Sequence, residues 1–288
     1  MSGHISLAAS EQDYQYYAFD GEFKLVEAIQ PPLGSVWLDE TSPKKLGTLL
    51  FVPAPETGPT SPIEVDYLRR HMPKWGWQTI AILPRTIPIV LNPLAEVTSA
   101  ASATMAPNQE NPDANDDATA VENESELITE EEPSNAEQAE DAPDNVEQPE
   151  KPIIVNWIQS SFDMREPAFG FEVVVVQAEY AALVAQAISN QELEIDALVM
   201  INAHIRNIER QKELAVLVAQ LEIPVLDLIS EPSLEWLKSQ PAQRLQQAKK
   251  QQKLDYRQAT FSGASSGEME QQRLSKSIYG WMHSLGWY

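Results

Sequence analysis

The stretch Phe171–Ile188, FEVVVVQAEYAALVAQAI, decides the fold of this chain. Four consecutive valines, Val173 to Val176, are typical of a buried strand, and an Ala-rich amphipathic segment follows them with almost no loop. The sequence therefore predicts a strand that turns sharply into a helix. In many α/β enzymes such a turn carries the nucleophile, but here it reads VQAEY, without Ser, Cys, Thr or Gly.

Strand and helix signals alternate along the rest of the chain, outside one polar segment. The predicted strands are apolar on both faces and amphipathic helices separate them, so the pattern predicts a three-layer α/β fold with a mostly parallel sheet. The predicted strands are Leu46–Val52, Trp77–Leu83, Glu172–Val176, Asp196–Ile201, Pro224–Ile229 and Tyr256–Phe261. The predicted helices are 61–75, Ile153–Phe162, Ala178–Ile188, Ile208–Leu221, Leu234–Lys238, Pro241–Lys250 and Glu268–Leu285.

Local signals mark where some of these helices begin. Ser61 with Glu64, and Ser265 with Glu268, match the capping-box pattern, which predicts Ser61 and Ser265 as the N-caps of the first and last helices. Ile153–Val155 is also compatible with a short strand, so its assignment to a helix stays open.

The composition changes sharply between Leu94 and Lys151. Residues 94–150 contain 17 acidic residues and no Lys or Arg, in a chain of 43 acidic and 20 basic residues with a net charge of −23. Such a segment cannot bury enough apolar surface to offset the entropy of ordering, so residues 94–151 are predicted to be a disordered acidic insertion. Two interpretations of it stay open, a solvated variable loop and an acidic docking tail for a basic partner.

The domain limits follow from this change in composition. Residues 46–93 and 152–288 are predicted to form one α/β domain, and residues 1–45 an extension of it. Weak strand signals at Phe23–Ile29 and Ser35–Leu38 predict that this extension adds antiparallel strands at one edge of the sheet.

Charge and composition exclude several classes of function. A strongly negative segment repels phosphate backbones and anionic lipids, so nucleic acid is not an expected partner. The chain has no Cys, which excludes disulfides and thiol chemistry, and no apolar run long enough to form a transmembrane segment. No His has metal-ligand spacing and no Gly-rich phosphate loop occurs, so no metal or other cofactor is predicted. Because no export signal is visible, the expected compartment is the cytoplasm, or the periplasm if the N-terminus is truncated.

The order of these segments resembles that of the α/β-hydrolase fold. The stretches YLRRHMPKWGWQTIAILP, DALVMINAHI, IPVLDLI and YRQATFSGASS look like an uncharacterised family of proteobacterial α/β-hydrolase-like proteins, a domain of unknown function. The resemblance covers about Leu46–Trp287 apart from the insertion. It implies a three-layer α/β-hydrolase-like fold with an acidic insertion after the second core strand, and it implies no particular activity.

The resemblance also indicates where catalytic residues would lie. In this fold the nucleophile occupies Gly-x-Ser-x-Gly on a strained turn. On this chain Ala178 takes the Ser position and neither glycine is present, so the strained turn is not expected. Ser265 lies near the position of the triad histidine, and Glu231 lies near that of the acid. The loop Pro53–Pro59 would supply the oxyanion hole, but proline has no N–H to donate.

These substitutions predict a protein that binds rather than catalyses. No catalytic residue is assigned, and the predicted cleft-lining side chains at the strand C-termini are Gln177, Glu179, His204 and Glu231. The predicted function is a non-catalytic binding or interaction protein whose partner is an unknown protein or small-molecule ligand. The alternative is an esterase-like hydrolase with an atypical site built from Glu179, His204 and Glu231. A third hypothesis is a structural partner in a complex that uses the acidic insertion.

Two further charged positions bear on packing. Asp227 lies inside a predicted strand, where burial is costly unless the carboxylate is paired. Arg244 belongs to a basic cluster with Lys249, Lys250 and Lys253 on a Gln-rich helix, which is interpreted as a solvated face rather than a binding patch.

Overall fold

The computed structural model describes residues 18, 20–54, 57–58, 65–89, 91, 151–165, 169–207, 210–230, 239–261 and 267–288. Its strands are β1 (Glu22–Val26), β2 (Leu33–Leu38), β3 (Gly47–Val52), β4 (Trp77–Ile82), β5 (Phe171–Gln177), β6 (Ala197–Ile201), β7 (Val225–Ser230) and β8 (Tyr256–Phe261). Its helices are α1 (Val65–His71, extended by a 3₁₀ turn at Met72–Trp75), α2 (Ile153–Asp163), α3 (Tyr180–Ser189), α4 (Gln211–Gln220), α5 (Ser239–Lys250) and α6 (Glu268–Ser284).

The described strands form one eight-stranded sheet in the order β1-β2-β4-β3-β5-β6-β7-β8. Strands β3 to β8 run parallel, whereas β1 and β2 join antiparallel at one edge. From β3 the chain first adds β4 on one side and then crosses to add β5 on the other. The order therefore reverses between β3 and β5, and in open α/β sheets ligands bind beyond the carboxyl ends of the strands at such a point.

Helices cover both faces of the sheet, and each face has its own apolar core. Helices α2, α3 and α4 pack on the face that carries Val174 and Val176, and α1 and α6 pack on the face that carries Val173 and Val175. Alternate valines of β5 thus serve opposite cores, which explains why the run contains no polar position. Full burial of each contributes about 1.5–3 kcal/mol. The mostly parallel three-layer architecture predicted from the sequence is confirmed.

The predicted strands of the parallel sheet agree with the observed ones to within one residue at each end. Ile153–Asp163 is a helix, which settles the ambiguity at Ile153–Val155. The last helix begins at Glu268 as predicted, but its predicted N-cap is wrong. The residue before α6 is Gly267, which has extended backbone, and no side chain caps the helix, so Ser265 is not its N-cap. Ser265, the capping box at Ser61–Glu64 and the predicted helix Leu234–Lys238 lie outside the described residues.

The described elements belong to one compact unit, formed by Met1–Leu94 and Lys151–Tyr288. Residues 95–150 form the second unit and lie outside the described residues. The disorder predicted for the insertion stays a prediction from composition.

The amino end of the sheet is closed by aromatic packing and a glycine turn. The Trp287 ring stacks on Phe171 at 4.2 Å between centroids and lies 6.2 Å from Trp77. Gly76 ends the 3₁₀ turn with a φ of 92°, and a Cβ there would lie 2.2 Å from the Lys44 carbonyl oxygen. Only glycine fits this position, because a side chain would collide with backbone.

A buried ion pair corrects the interpretation of Arg244 as a solvated residue. The Arg244 side chain is 1% exposed, and its Nε and Nη2 donate to the two carboxylate oxygens of Asp227 at 2.7 and 3.1 Å. Tyr256 and Gln258 also donate to Asp227, at 2.7 and 3.0 Å. Burial, followed by the adjacent Asp227 charge, raises the pKa of Tyr256 above its ordinary value. Asp227 is therefore paired, as a fully buried carboxylate must be.

Candidate active-site region

The candidate site lies at the carboxyl ends of β3, β5 and β6, where the order of the sheet reverses. Ala54 follows β3, Ala178 follows β5 and Asn202 follows β6. The three strand ends are adjacent because β5 pairs with β3 on one side and with β6 on the other.

The turn after β5 is left-handed, which the sequence did not predict. Ala178 has a φ of 53°, a region that costs roughly 1–2 kcal/mol for a residue with a Cβ. Its N–H donates to the Ile201 carbonyl at 3.0 Å, and its carbonyl accepts from Ala181 at 3.3 Å and from His204 at 3.4 Å. The turn is thus held by backbone bonds to β6, to α3 and to the segment after β6. These bonds impose the strained conformation without the glycines that usually accompany it.

A second left-handed residue lies beside the first. Asn202 also has a φ of 53°, and its side-chain oxygen accepts from the N–H and the hydroxyl of Ser230, both at 2.8 Å. Its N–H donates to the Leu228 carbonyl at 2.9 Å. Two adjacent parallel strands are therefore each followed by a residue with left-handed backbone, which is strained for Ala178 and more readily adopted by Asn202. Backbone strain of the kind seen at Ala178 clusters at functional sites.

In the loop after β3, the first backbone N–H, that of Ala54, already donates to the side chain of Gln177. Oε1 of Gln177 accepts from the Ala54 N–H at 3.2 Å and lies 3.1 Å from the Thr57 hydroxyl, which is also 3.1 Å from the Ala54 carbonyl. Gln177 is 6% exposed, so its amide is packed between the two strand ends. Although Pro53 lacks an N–H, this loop does retain a donor, and an internal carbonyl oxygen fills it.

The structure brings three of the four predicted cleft residues to one edge of the sheet. Gln177 ends β5, Glu179 follows the left-handed turn, and the main chain of His204 bonds to the turn itself. Glu179 pairs with Arg206 at 3.2 Å, and His204 Nδ1 lies 2.8 Å from the Asn202 carbonyl. In the tautomer that donates from Nδ1, Nε2 carries the lone pair. The fourth predicted residue, Glu231, lies outside the described residues.

Sequence reasoning missed Asn202, Thr57 and Arg206. Asn202 had a usable signal, because asparagine after a buried strand is one of the few residues that adopt left-handed backbone readily. Thr57 and Arg206 had none, since each acquires its partner only when distant segments come together. Gln177 was predicted as cleft-lining, but its bond to Ala54, 123 positions earlier, could not be read from local sequence.

Neither a metal site nor a membrane-spanning helix is found in the part of the chain that the structure describes. Among its His, Asp and Glu side chains, no group of three is placed to hold a metal ion. None of its helices combines the length and the apolar character needed to cross a lipid bilayer.

Comparison with protein families gives one match that covers most of the chain. Residues 14–284 match the model of a family described as protein of unknown function, DUF3530. No curated protein matches the sequence.

Comparison with solved structures gives α/β hydrolases. A dienelactone hydrolase from Anabaena variabilis is 9% identical with a TM-score of 0.53, covering 92% of this chain and 98% of that one. Est1E from Butyrivibrio proteoclasticus is 9% identical with a TM-score of 0.55 and the same coverage. An esterase from Pyrococcus furiosus is 9% identical with a TM-score of 0.51, covering 93% and 91%. Likeness at this level of identity shows the fold, which is α/β-hydrolase-like.

Proposed function

We propose that this chain, which belongs to the DUF3530 family and has an α/β-hydrolase-like fold, binds a ligand or a protein partner at the strand C-termini without hydrolysing it. Because folds of this kind host many functions, the fold alone does not indicate catalysis.

The observation that carries the proposal is Ala178 at the left-handed turn. A strained strand-to-helix turn is how an α/β hydrolase exposes its nucleophile. Here the turn presents a methyl group, which cannot attack a carbonyl carbon. The geometry of the position is thus retained while the reactive atom is replaced, which supports a site kept for shape and not for chemistry.

The environment of the turn supports the same conclusion. An oxyanion hole needs backbone N–H groups aimed at the developing charge, one of them from the loop after β3. The Ala54 N–H lies in that loop, and Gln177 already accepts from it. We assign the acid position to Glu231 and the histidine position to Ser265, whose loop, 262–267, contains no His. A serine cannot act as a general base near neutral pH.

Ester turnover tests the catalytic half of the proposal. The purified full chain is expected to hydrolyse p-nitrophenyl butyrate no faster than buffer and to give no covalent adduct with a fluorophosphonate. Ala178→Ser restores a hydroxyl but no base, so it is also expected to remain inactive. Wild-type turnover that is lost on Glu179→Gln would overturn the proposal.

Ligand titration tests the binding half. A small carbonyl compound that binds at the strand ends should change the surroundings of the Ala54 and Ala178 amides while the Gln177–Ala54 hydrogen bond stays in place. We therefore expect saturable amide shifts at Ala54 and Ala178 in NMR titrations with butyramide. Shifts that do not saturate, or that appear only on other faces of the sheet, would contradict binding at this site.

The second candidate function is a hydrolase with an atypical site. It is favoured by the position of His204, whose main chain bonds to the turn and whose ring can carry a lone pair on Nε2. Against it, the carboxylate of Glu179 is paired with Arg206, which makes it a weaker nucleophile. This candidate requires Glu179→Gln, His204→Gln and Glu231→Gln each to abolish a measurable wild-type activity.

Three finer assignments complete the proposal. A proteobacterial origin and a role of the acidic insertion in docking are proposed from the sequence. Removal of residues 94–150 without any change in co-purifying proteins would contradict the docking role. Nucleic acid is not proposed as a partner, because the chain carries a net charge of −23.

A further inference from the structure

A groove of about 600 Å³ lies between strand β8 and helix α6, and no residue of β3, β5 or β6 lines it. Arg257, Thr260 and Phe261 of β8 form one wall. Arg273 and Gly280 belong to the other wall, which is one side of α6. We call this feature the β8–α6 groove.

The β8–α6 groove is positively charged in an acidic protein. It contains Arg257, Arg273 and Lys276 against the single carboxylate of Glu270. Arg273 pairs with Glu270 at 2.8 Å, whereas neither Arg257 nor Lys276 forms an ion pair with any residue that the structure describes. Outside residues 94–150 the chain has 26 acidic and 20 basic residues, so a groove with three cations and one carboxylate has the opposite sign to the chain as a whole.

The strand that forms one wall also has a free edge. Among the described strands β8 pairs with β7 alone and ends the sheet, so half of its backbone N–H and C=O groups point away from any strand partner. Such an edge is a template for an added strand. Beside it, α6 is open at Gly280, where a Cβ would meet no atom within 4 Å.

We propose that the β8–α6 groove binds an extended acidic segment of a partner protein. The segment adds to the free edge of β8, and its carboxylates contact Arg257 and Lys276. Backbone hydrogen bonds supply affinity in this mode and the charged side chains supply specificity. A second copy of this chain is disfavoured as the occupant, because pairing two β8 edges would bring the same cations of both copies together.

A labelled peptide tests the proposal directly. The probe is a fluorescein-labelled decamer of alternating Glu and Thr, and the control peptide alternates Lys and Thr. The full chain is expected to bind the acidic decamer saturably, to bind it less tightly as salt increases, and to leave the Lys peptide free. The β8 amides are expected to gain protection from hydrogen exchange when the acidic peptide is bound.

Two matched sets of variants locate the binding. Arg257→Glu with Lys276→Glu is expected to weaken binding by about tenfold or more. Lys249→Glu with Lys250→Glu, the same charge change on exposed residues of α5, should leave it within about twofold. Gly280→Leu should also block binding by filling the groove, and Gly280→Ala should not. Both variants replace a helical glycine with a better helix former, so both should fold.

Several outcomes would overturn the proposal. One is the absence of saturable binding up to about 1 mM peptide. Another is equal binding by the groove and α5 charge variants. Binding of heparin that displaces the peptide, without hydrogen-exchange protection at β8, would indicate a general polyanion surface. A change in sedimentation on Arg257→Glu with Lys276→Glu would indicate that a second copy occupies the groove.

Discussion

At the scale of single residues, the backbone of Ala178 makes the sharpest prediction. Glycine adopts a φ of 53° freely, so Ala178→Gly relieves strain of roughly 1–2 kcal/mol. The greater conformational entropy of glycine in the unfolded chain offsets part of this gain in stability. We expect the variant to be more stable than wild type by about 0.5–1 kcal/mol, measured by urea unfolding. The control is Ala182→Gly inside α3, which should destabilise by about 1 kcal/mol or more. If both variants lose stability equally, Ala178 is not strained.

Asp227 tests the buried ion pair at the same scale. Asp227→Asn keeps the shape of the side chain but leaves the Arg244 guanidinium buried without a counter-charge. Breaking such a pair costs about 3–5 kcal/mol, and we expect that loss in the free energy of unfolding. Tyr256→Phe removes one hydrogen bond to the same carboxylate and should cost only about 1–2 kcal/mol. Similar losses from both variants would show that the charge itself is unimportant.

Ala178 and Arg244 show which features could not be predicted from the sequence. The left-handed turn at Ala178 is set by bonds to Ile201 and His204, so no local propensity indicates it. Arg244 lies among glutamines and lysines, and the polar composition of α5 predicted exposure. Its burial follows from Asp227 on a strand 17 positions away. In both cases a tertiary partner overrides the local pattern.

At the scale of secondary-structure elements, apolar runs predicted the strands well, because a parallel strand that is covered on both faces must be apolar at almost every position. Helix ends were less predictable: α3 was predicted from Ala178 but begins at Tyr180. The cap of α6 is Gly267 and not Ser265, since a cap depends on backbone geometry as well as on residue type. The edge strand β1 gave only a weak signal, because it has one neighbour and is only partly buried. Strand β2 has two neighbours and is almost fully buried, but the Gly and Ser in its sequence LGSVWL weaken the signal.

Helix α1 carries a pH-dependent contribution to stability. Burial lowers the pKa of His71, and Lys74 and Arg70 lower it further, while the Tyr67 carbonyl and Asp66 oppose them. Between the folded-state pKa and the unfolded value of 6.5, the folded chain binds fewer protons than the unfolded chain. Stability from this group is therefore complete above pH 6.5 and is lost as the pH falls through that value toward the folded-state pKa.

The His71→Gln variant tests this contribution. The substitution removes the titrating ring, so the free energy of unfolding should fall less steeply on acidification than it does in wild type. The measurement is urea unfolding followed over about three pH units, from about pH 8 to about pH 5. Tyr67 stacks on the His71 ring at 3.6 Å, so some loss of stability at all pH values is expected as well. Only a change in the slope of unfolding free energy against pH tests the lowered pKa of His71. An unchanged slope would contradict that lowered pKa.

At the scale of the whole molecule, most of the net negative charge lies apart from the described cores. The core residues and the eight strands that the structure describes all lie outside residues 92–150, whereas residues 94–150 contribute 17 of the 23 net negative charges. Replacing residues 95–150 with a short Gly/Ser linker should therefore leave cooperative unfolding intact. The replacement should shift the melting temperature by only a few degrees, which is about the effect of 1 kcal/mol.

The same replacement lowers the net negative charge from −23 to −6, so the variant should elute much earlier from an anion exchanger. A linker made of Glu and Ser at the original charge separates the two effects, because it restores elution without restoring the sequence. Loss of cooperative unfolding with both linkers would show that the insertion contributes to the fold, and the domain limits drawn from composition would then be wrong.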